Sequence, residues 1–144
     1  MTPDPEQLRE FARRYTEAWC SMDPASVAAH YAPEGSLAIN GGAPAVGRDA
    51  ITEVARSFYA ALPDMQVYFD DLVVDEDRIE YHWTFTGTNT GPGGTGNEVR
   101  VRGHEAWTIS GDGLIAASQG SYDAEEYARQ LAEGVRPTVP LKKP

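Results

Sequence analysis

The chain predicts a single-domain α+β fold, with helices first and a strongly curved, mixed or antiparallel sheet after them. Three observations carry this. Apolar residues recur at three- and four-residue steps through positions 8–62, the period of a helix with one buried face. From position 65 to 121 the period drops to two, the pattern of strands with one face covered. The chain has 144 residues, 41% of them hydrophobic, which favours one domain with a real core.

The elements follow in order. Asp4 offers a helix cap, Pro5 suits a first turn and Gln7 follows three residues after Asp4. Leu8, Phe11, Ala12, Tyr15, Ala18, Trp19 and Met22 then form one stripe. Asp23-Pro24 restarts the pattern as a short helix that buries Val27, Ala28 and Tyr31 and stops at Pro33 and Gly35. A short strand is expected over 36–39 and a turn over Asn40-Gly41-Gly42-Ala43-Pro44. A third helix spans about 49–62, with Ile51, Val54, Ala55, Phe58 and Leu62 inward. Strands are expected over 65–75, 78–88, 98–110 and 114–121, the first two joined at Asp75-Glu76-Asp77 and the last two at Gly111-Asp112-Gly113. A last helix covers about 124–132. The domain is expected over 1–135, with 136–144 a mobile tail.

Charge and composition narrow the partners. The net charge is −10, from 12 basic and 22 acidic residues, which argues against nucleic acid and anionic membrane surfaces. There is no apolar run long enough to span a membrane and no signal-like start, so a soluble cytoplasmic protein is expected. Cys20 is the one cysteine, and the histidines at 30, 82 and 104 have no metal-ligand spacing. No metal and no cofactor are expected.

Tyr15 and Glu105 are the most informative residues. Tyr15 lies on the apolar stripe of the first helix. Glu105 is mid-strand, in phase with Trp107 and Ile109. A carboxyl group placed among such neighbours needs a partner or a task. A phenol and a buried carboxylic acid that converge can hold a developing oxyanion. Glu105 has a second reading, in which it pairs with Arg100 or Arg102 or faces water after a bulge at Gly103. A curved sheet closed by helices leaves a hollow for a small ligand. From the aromatic set, Trp19, Tyr31, Phe58, Tyr59, Trp83 and Trp107 are expected to line it. Asn40 is read as a turn residue or a polar contact at the mouth. Gln119 shares its strand phase with Ile115 and Ala117, so it is placed facing the hollow.

Several motifs resemble the SnoaL-like branch of the NTF2-like superfamily, over about residues 6–133. They are Gly47-Arg48-Asp49-Ala50-Ile51, Trp83-Thr84-Phe85-Thr86-Gly87-Thr88-Asn89-Thr90-Gly91, Val99-Arg100-Val101-Arg102-Gly103, Trp107 with Gly111-Asp112-Gly113-Leu114-Ile115, and Tyr122-Asp123 ahead of Gln130-Leu131. The resemblance implies a cone-shaped fold and a homodimer paired through the outer face of the sheet, where Ser118, Gly120, Arg100, Arg102 and His104 are expected. Ketosteroid isomerases share the fold. Arg14-Tyr15-Thr16-Glu17 is similar to the stretch with their oxyanion-binding tyrosine. Gly103-His104-Glu105-Ala106-Trp107 resembles the strand with their protonated acid. Their general-base aspartate falls near Ile39 or Asn40 here, and neither accepts a carbon-bound proton. The acid/base aspartate of SnoaL-type polyketide cyclases falls near Ser121.

The expected function is therefore a cofactor-free, SnoaL-like cyclase or isomerase acting on a hydrophobic, polyketide-like carbonyl compound. Glu105 and Tyr15 would be catalytic, and Trp19, Tyr31, Asn40, Phe58, Tyr59, Trp83, Trp107, Gln119 and Ser121 would bind substrate. The alternatives are a non-catalytic ligand-binding or dimerising module and, ranked lower, an epoxide hydrolase or dehydratase.

Overall fold

The computed structural model describes residues 4–75 and 78–134. Glu76 and Asp77 of the expected hairpin turn, and the 136–144 tail, lie outside them. The order of elements is α1 (Pro5–Cys20), α2 (Pro24–Ala28), β1 (Tyr31–Ile39), β2 (Ala45–Val46), α3 (Arg48–Ala61), β3 (Gln66–Asp75), β4 (Arg78–Thr88), β5 (Glu98–Ile109), β6 (Ile115–Tyr122) and α4 (Ala124–Glu133). Six strands form one open sheet in the order β2-β1-β6-β5-β4-β3. It is mixed, because β1 runs parallel to β6 while the other pairs are antiparallel. Helix α1 packs on β3, α2 on α3 and α4 on β5.

Helix α1 buries Leu8, Ala12, Tyr15, Ala18 and Trp19, as its periodicity requires. Asp4 stands at its N-cap but its side chain makes no capping bond, so Pro5 carries the start. Asp23 and Asp123 do cap, accepting from Ala25 N and Glu126 N.

Three irregularities bend the sheet. The β1–β6 register shifts between Tyr31 and Ser36, the β3–β4 register between Phe69 and Asp71, and the β5–β6 register between Thr108 and Ile109. The first corrects the expected second helix. Helix α2 closes at Ala29, and Tyr31 opens a strand instead of ending a helix. Ile115 N donates to His30 O and Tyr31 pairs with Ile115. Gly35 is pressed against β6 in the irregular stretch, where an added Cβ would lie 2.6 Å from Ile115 O.

The third irregularity leaves Ala116 as an extra residue on β6, because Thr108 pairs with Ala117 while Ile109 pairs with Ile115. It inverts the strand's phase. Ser118 and Gly120 turn inward and are buried, while Gln119 turns out and is exposed. Gln119 therefore does not face the hollow, and Ser118 and Gly120 do not belong to the outer face. Arg100 and Arg102 are exposed on that outer face, and His104 is half-buried there, stacked on His82 across the β4–β5 pair.

Candidate active site

The β4–β5 register runs unbroken from Ile79 opposite Trp107 to Thr88 opposite Glu98. Gly103 therefore forms no bulge, and Glu105 keeps the inward phase of Val99, Val101 and Trp107. It is 6% exposed. Neither Arg100 nor Arg102 reaches it.

Three side chains from three elements converge on its carboxylate. Trp107 Nε1 donates to Oε1 at 2.8 Å, and Ser118 Oγ donates to the same oxygen at 2.8 Å. The Tyr15 hydroxyl lies 3.1 Å from both Oε1 and Oε2. Tyr31 adds a second layer, its hydroxyl 2.8 Å from that of Tyr15. Oε1 is thus crowded with donors, while Oε2 has the Tyr15 hydroxyl alone. Beside this group Tyr81 bonds the Thr16 hydroxyl, and Thr16 also donates to Ala12 O at 2.8 Å.

Burial dominates the electrostatics. Desolvation raises the Glu105 carboxyl above its ordinary value, against the opposing pull of the hydrogen bonds from Trp107, Ser118 and Tyr15 and of the nearby Tyr31 hydroxyl. Burial, and then the charge of Glu105, push the Tyr15 and Tyr31 phenols well above theirs. The tyrosines therefore stay neutral donors, and the carboxyl is the group whose protonation can change.

Glu105 borders an open-mouthed hollow between the sheet and helices α1 and α3. The hollow contains about 520 Å³ of atom-free space, the solvent at its mouth included. Only about 50 Å³ of it admits the centre of a water molecule, so it is narrow. Trp19, Leu37, Ile39, Val54, Phe58, Met65, Val67, Tyr81, Trp83, Phe85, Gly120 and Tyr122 complete its walls. Among these described lining residues Glu105 supplies the only carboxyl group.

The sequence-predicted residues divide accordingly. Trp19, Phe58, Trp83 and Glu105 reach the hollow. Tyr15 does not; it is fully buried behind Glu105 and acts on that residue. Tyr31 and Trp107 likewise support the carboxyl and do not line the space. Tyr59 turns away, its hydroxyl donating to Trp19 O at 2.7 Å. Asn40 is the turn residue, with a left-handed φ of 54° and Oδ1 accepting from Tyr122 N at 2.9 Å. Ser121 pairs with His104 in the opposite phase to Gly120 and lies off the hollow. Sequence reasoning missed Ser118, Tyr122 and Gly120. Only the bulge at Ala116 reveals their direction. Among the described residues no group of three or more His, Cys, Asp or Glu is arranged to hold a metal. No described helix is long and apolar enough to cross a membrane.

Helices over an open, bent, six-stranded sheet with a walled hollow define the ketosteroid isomerase-like, or NTF2-like, fold. The chain belongs to the SnoaL-like domain family, whose model matches residues 12–118. No curated protein matches the sequence significantly. Among solved structures, TsrD from Streptomyces laurentii is 25% identical, with a TM-score of 0.77 over 90% of this chain and 98% of that one. A proposed SnoaL-like polyketide cyclase from Jannaschia sp. CCS1 is 16% identical, with a TM-score of 0.78 over 94% and 99%. A protein with a ketosteroid isomerase-like fold from Catenulispora acidiphila, solved with trimethylamine, is 18% identical, with a TM-score of 0.75 over 85% and 92%.

Proposed function

We propose that the protein is a cofactor-free acid/base enzyme that cyclises or isomerises a hydrophobic, polyketide-like carbonyl compound, with Glu105 as its proton-transfer group. The observation that carries this is the placement of one carboxyl group, raised by burial, in the wall of an apolar hollow. A carboxyl that burial raises keeps its proton to higher pH than an exposed one, and can give it to or take it from a bound substrate. Tyr15, Ser118 and Trp107 fix its orientation and are positioning residues. The walls keep water off the reacting atoms and hold an apolar skeleton.

Among the described residues no second carboxyl lines the hollow. Ile39 lines it at the height where the isomerase resemblance would put a base, and Asn40 is turned out. Glu105 therefore serves as both acid and base in this reading. Exchange of ketone α-protons in D2O, followed by NMR over a panel of aryl and bicyclic diketones, tests it. Turnover is expected in the native protein and lost in Glu105→Gln with the fold intact. Equal exchange by both proteins overturns the assignment.

A second reading is favoured by the full burial of Tyr15 and Tyr31. Here the carboxyl and its donors are a structural polar cluster, and the hollow binds a ligand without converting it. Ligand binding with no exchange across the panel selects this reading. Both readings include a homodimer through the outer sheet face, where Tyr68 and Val73 are 49% and 40% exposed. A monomer at micromolar concentration in ultracentrifugation counts against the pairing.

A further inference from the structure

Among the described residues one buried side-chain nitrogen or oxygen has no hydrogen-bond partner, the indole Nε1 of Trp83. A buried indole N–H normally finds an acceptor, because leaving it dry is costly. The contrast with Trp107 is direct, since its Nε1 is spent on Glu105.

The surroundings of Trp83 are built to hold its ring in place inside the hollow. The residue is 9% exposed and lines the hollow. Its ring stacks on Phe85 with centroids 5.5 Å apart and meets Tyr122 edge-on at 6.2 Å. It lies across Gly103, its opposite number on β5. A Cβ on Gly103 would come within 2.6 Å of Cζ2 and Cη2 of the indole. Nε1 is bonded to the ring carbon next to Cζ2, so the orphaned N–H is on the side of the indole close to Gly103. Gly103 is two residues from Glu105 on β5, a spacing of about 6.8 Å along a strand.

We propose that Trp83 Nε1–H is a specificity-determining donor, and that the hollow takes an apolar ring compound with an acceptor oxygen for Trp83 besides the oxygen function addressed by Glu105. This rests on the hollow being the ligand site, as in the reading above, but not on Glu105 moving a proton. The apolar walls hold the skeleton, and the indole sets which way round it sits. A compound lacking that oxygen leaves the N–H unpaired and loses the corresponding hydrogen bond.

The test uses the full chain labelled with nitrogen-15. Three tryptophans give three indole N–H peaks. That of Trp83 is assigned by its loss in Trp83→Phe, or by its contacts to Phe85 and Tyr122 if that variant does not fold. The protein is titrated with 1-tetralone, a bicyclic ketone, and with tetralin, the same skeleton without oxygen. The ketone is expected to move the Trp83 indole proton downfield and to bind roughly 2- to 12-fold more tightly than tetralin, the range of a neutral hydrogen bond. Tetralin is expected to leave the proton near its starting position. Equal movement with both probes, equal affinity for both, or failure of the ketone to bind overturns the proposal. The same titration in Glu105→Gln separates the two ideas. A retained Trp83 shift alongside equal proton exchange by native and Glu105→Gln protein leaves the donor standing and removes Glu105 as the proton-transfer group.

Discussion

Replacing Glu105 by Gln isolates the protonation of one buried group. Glutamine imitates the neutral acid. Its carbonyl takes the place of Oε1, where Trp107 and Ser118 donate at 2.8 Å, and its amide faces the Tyr15 hydroxyl 3.1 Å from the present Oε2. The packing is therefore kept and the charge removed. Burial raises the folded carboxyl above its unfolded value, so the folded chain holds the proton more tightly than the unfolded chain. Below the unfolded value of about 4.3 both states of the native protein are neutral at this position, and its stability contribution is fully present. As pH rises, the unfolded chain releases its proton first. The native protein then loses stability relative to Glu105→Gln by up to about 1.4 kcal/mol per pH unit, until the folded carboxyl also ionises. Above that point the gap is constant. Urea unfolding of both proteins between pH 4 and pH 9 reads the difference directly, and the remaining carboxylates cancel because both proteins carry them. A gap that does not change with pH refutes the reasoning. So does a native protein that gains on the variant as pH rises, because the donors would then outweigh desolvation and hold the carboxyl below its ordinary value.

Four other substitutions probe the surroundings. Ser118→Ala removes one donor from Oε1, so the Glu105 carboxyl should rise further and stability should fall by about 0.5–1.5 kcal/mol; carboxyl carbon-13 titration and the urea midpoint check both. Tyr15→Phe leaves the Tyr31 hydroxyl and Glu105 Oε2 short of a partner and should cost about 1–3 kcal/mol, with an unchanged melting temperature speaking against the cluster. Gly103→Ala places a Cβ 2.4 Å from Ser121 O and 2.6 Å from the Trp83 ring, and should lower the melting temperature steeply, by an amount equivalent to about 3 kcal/mol. Gly120→Ala is its control: the nearest atom to the new Cβ is Ala38 O at 3.6 Å, an ordinary contact, so the variant should fold and lose ligand affinity through a narrower hollow.

The alternation from Val99 to Trp107 points Glu105 inward, but the sequence left a bulge at Gly103 open, and the unbroken β4–β5 ladder decides the direction. Gln119 was misplaced because a bulge does interrupt its strand, while Ser121 was placed by the family resemblance and falls in the same outward phase. The same alternation was extended from Ile115 through a strand whose extra residue, Ala116, reverses it. A bulge at a small residue leaves no mark in hydrophobic periodicity. Tyr31 shows another limit. Val27, Ala28 and Tyr31 fit helical spacing, and only pairing with Ile115, distant in sequence, makes the last of them a strand residue. Inward phase also does not decide which inward residues border the space. Trp107 and Tyr15 point inward, yet each spends its polar atom on Glu105 and packs behind it. That outcome depends on rotamers and on the approach of α1 to the sheet, which no local pattern encodes.

The arrangement around Glu105 accommodates both of its protonation states, and this bears on how a carboxyl group can work inside an apolar core. When ionised, it receives hydrogen bonds from Tyr15, Trp107 and Ser118, which offset part of its desolvation. When neutral, it needs an acceptor for its own proton. Oε1 is already occupied by donors, so the proton belongs on Oε2, next to the Tyr15 oxygen. Either hydroxyl of the Tyr15–Tyr31 pair can be the donor, so Tyr15 can turn its proton to Tyr31 and accept one from Glu105. Ser118 spends its own proton on Glu105 Oε1. Rotation of the Tyr15 and Tyr31 hydroxyls therefore serves either protonation state with no heavy atom displaced, while the proton itself enters and leaves Glu105 from the hollow. Phenylalanine at Tyr31 removes the acceptor that lets Tyr15 turn away from Glu105 and leaves the hollow's walls in place. Tyr31→Phe should accordingly hold Tyr15 as a donor to Glu105, favour the ionised carboxylate and shift the pH dependence of exchange to lower pH, whereas ligand affinity should change little. An unaltered pH dependence in Tyr31→Phe would mean that the Tyr15 hydroxyl does not turn with the protonation of Glu105.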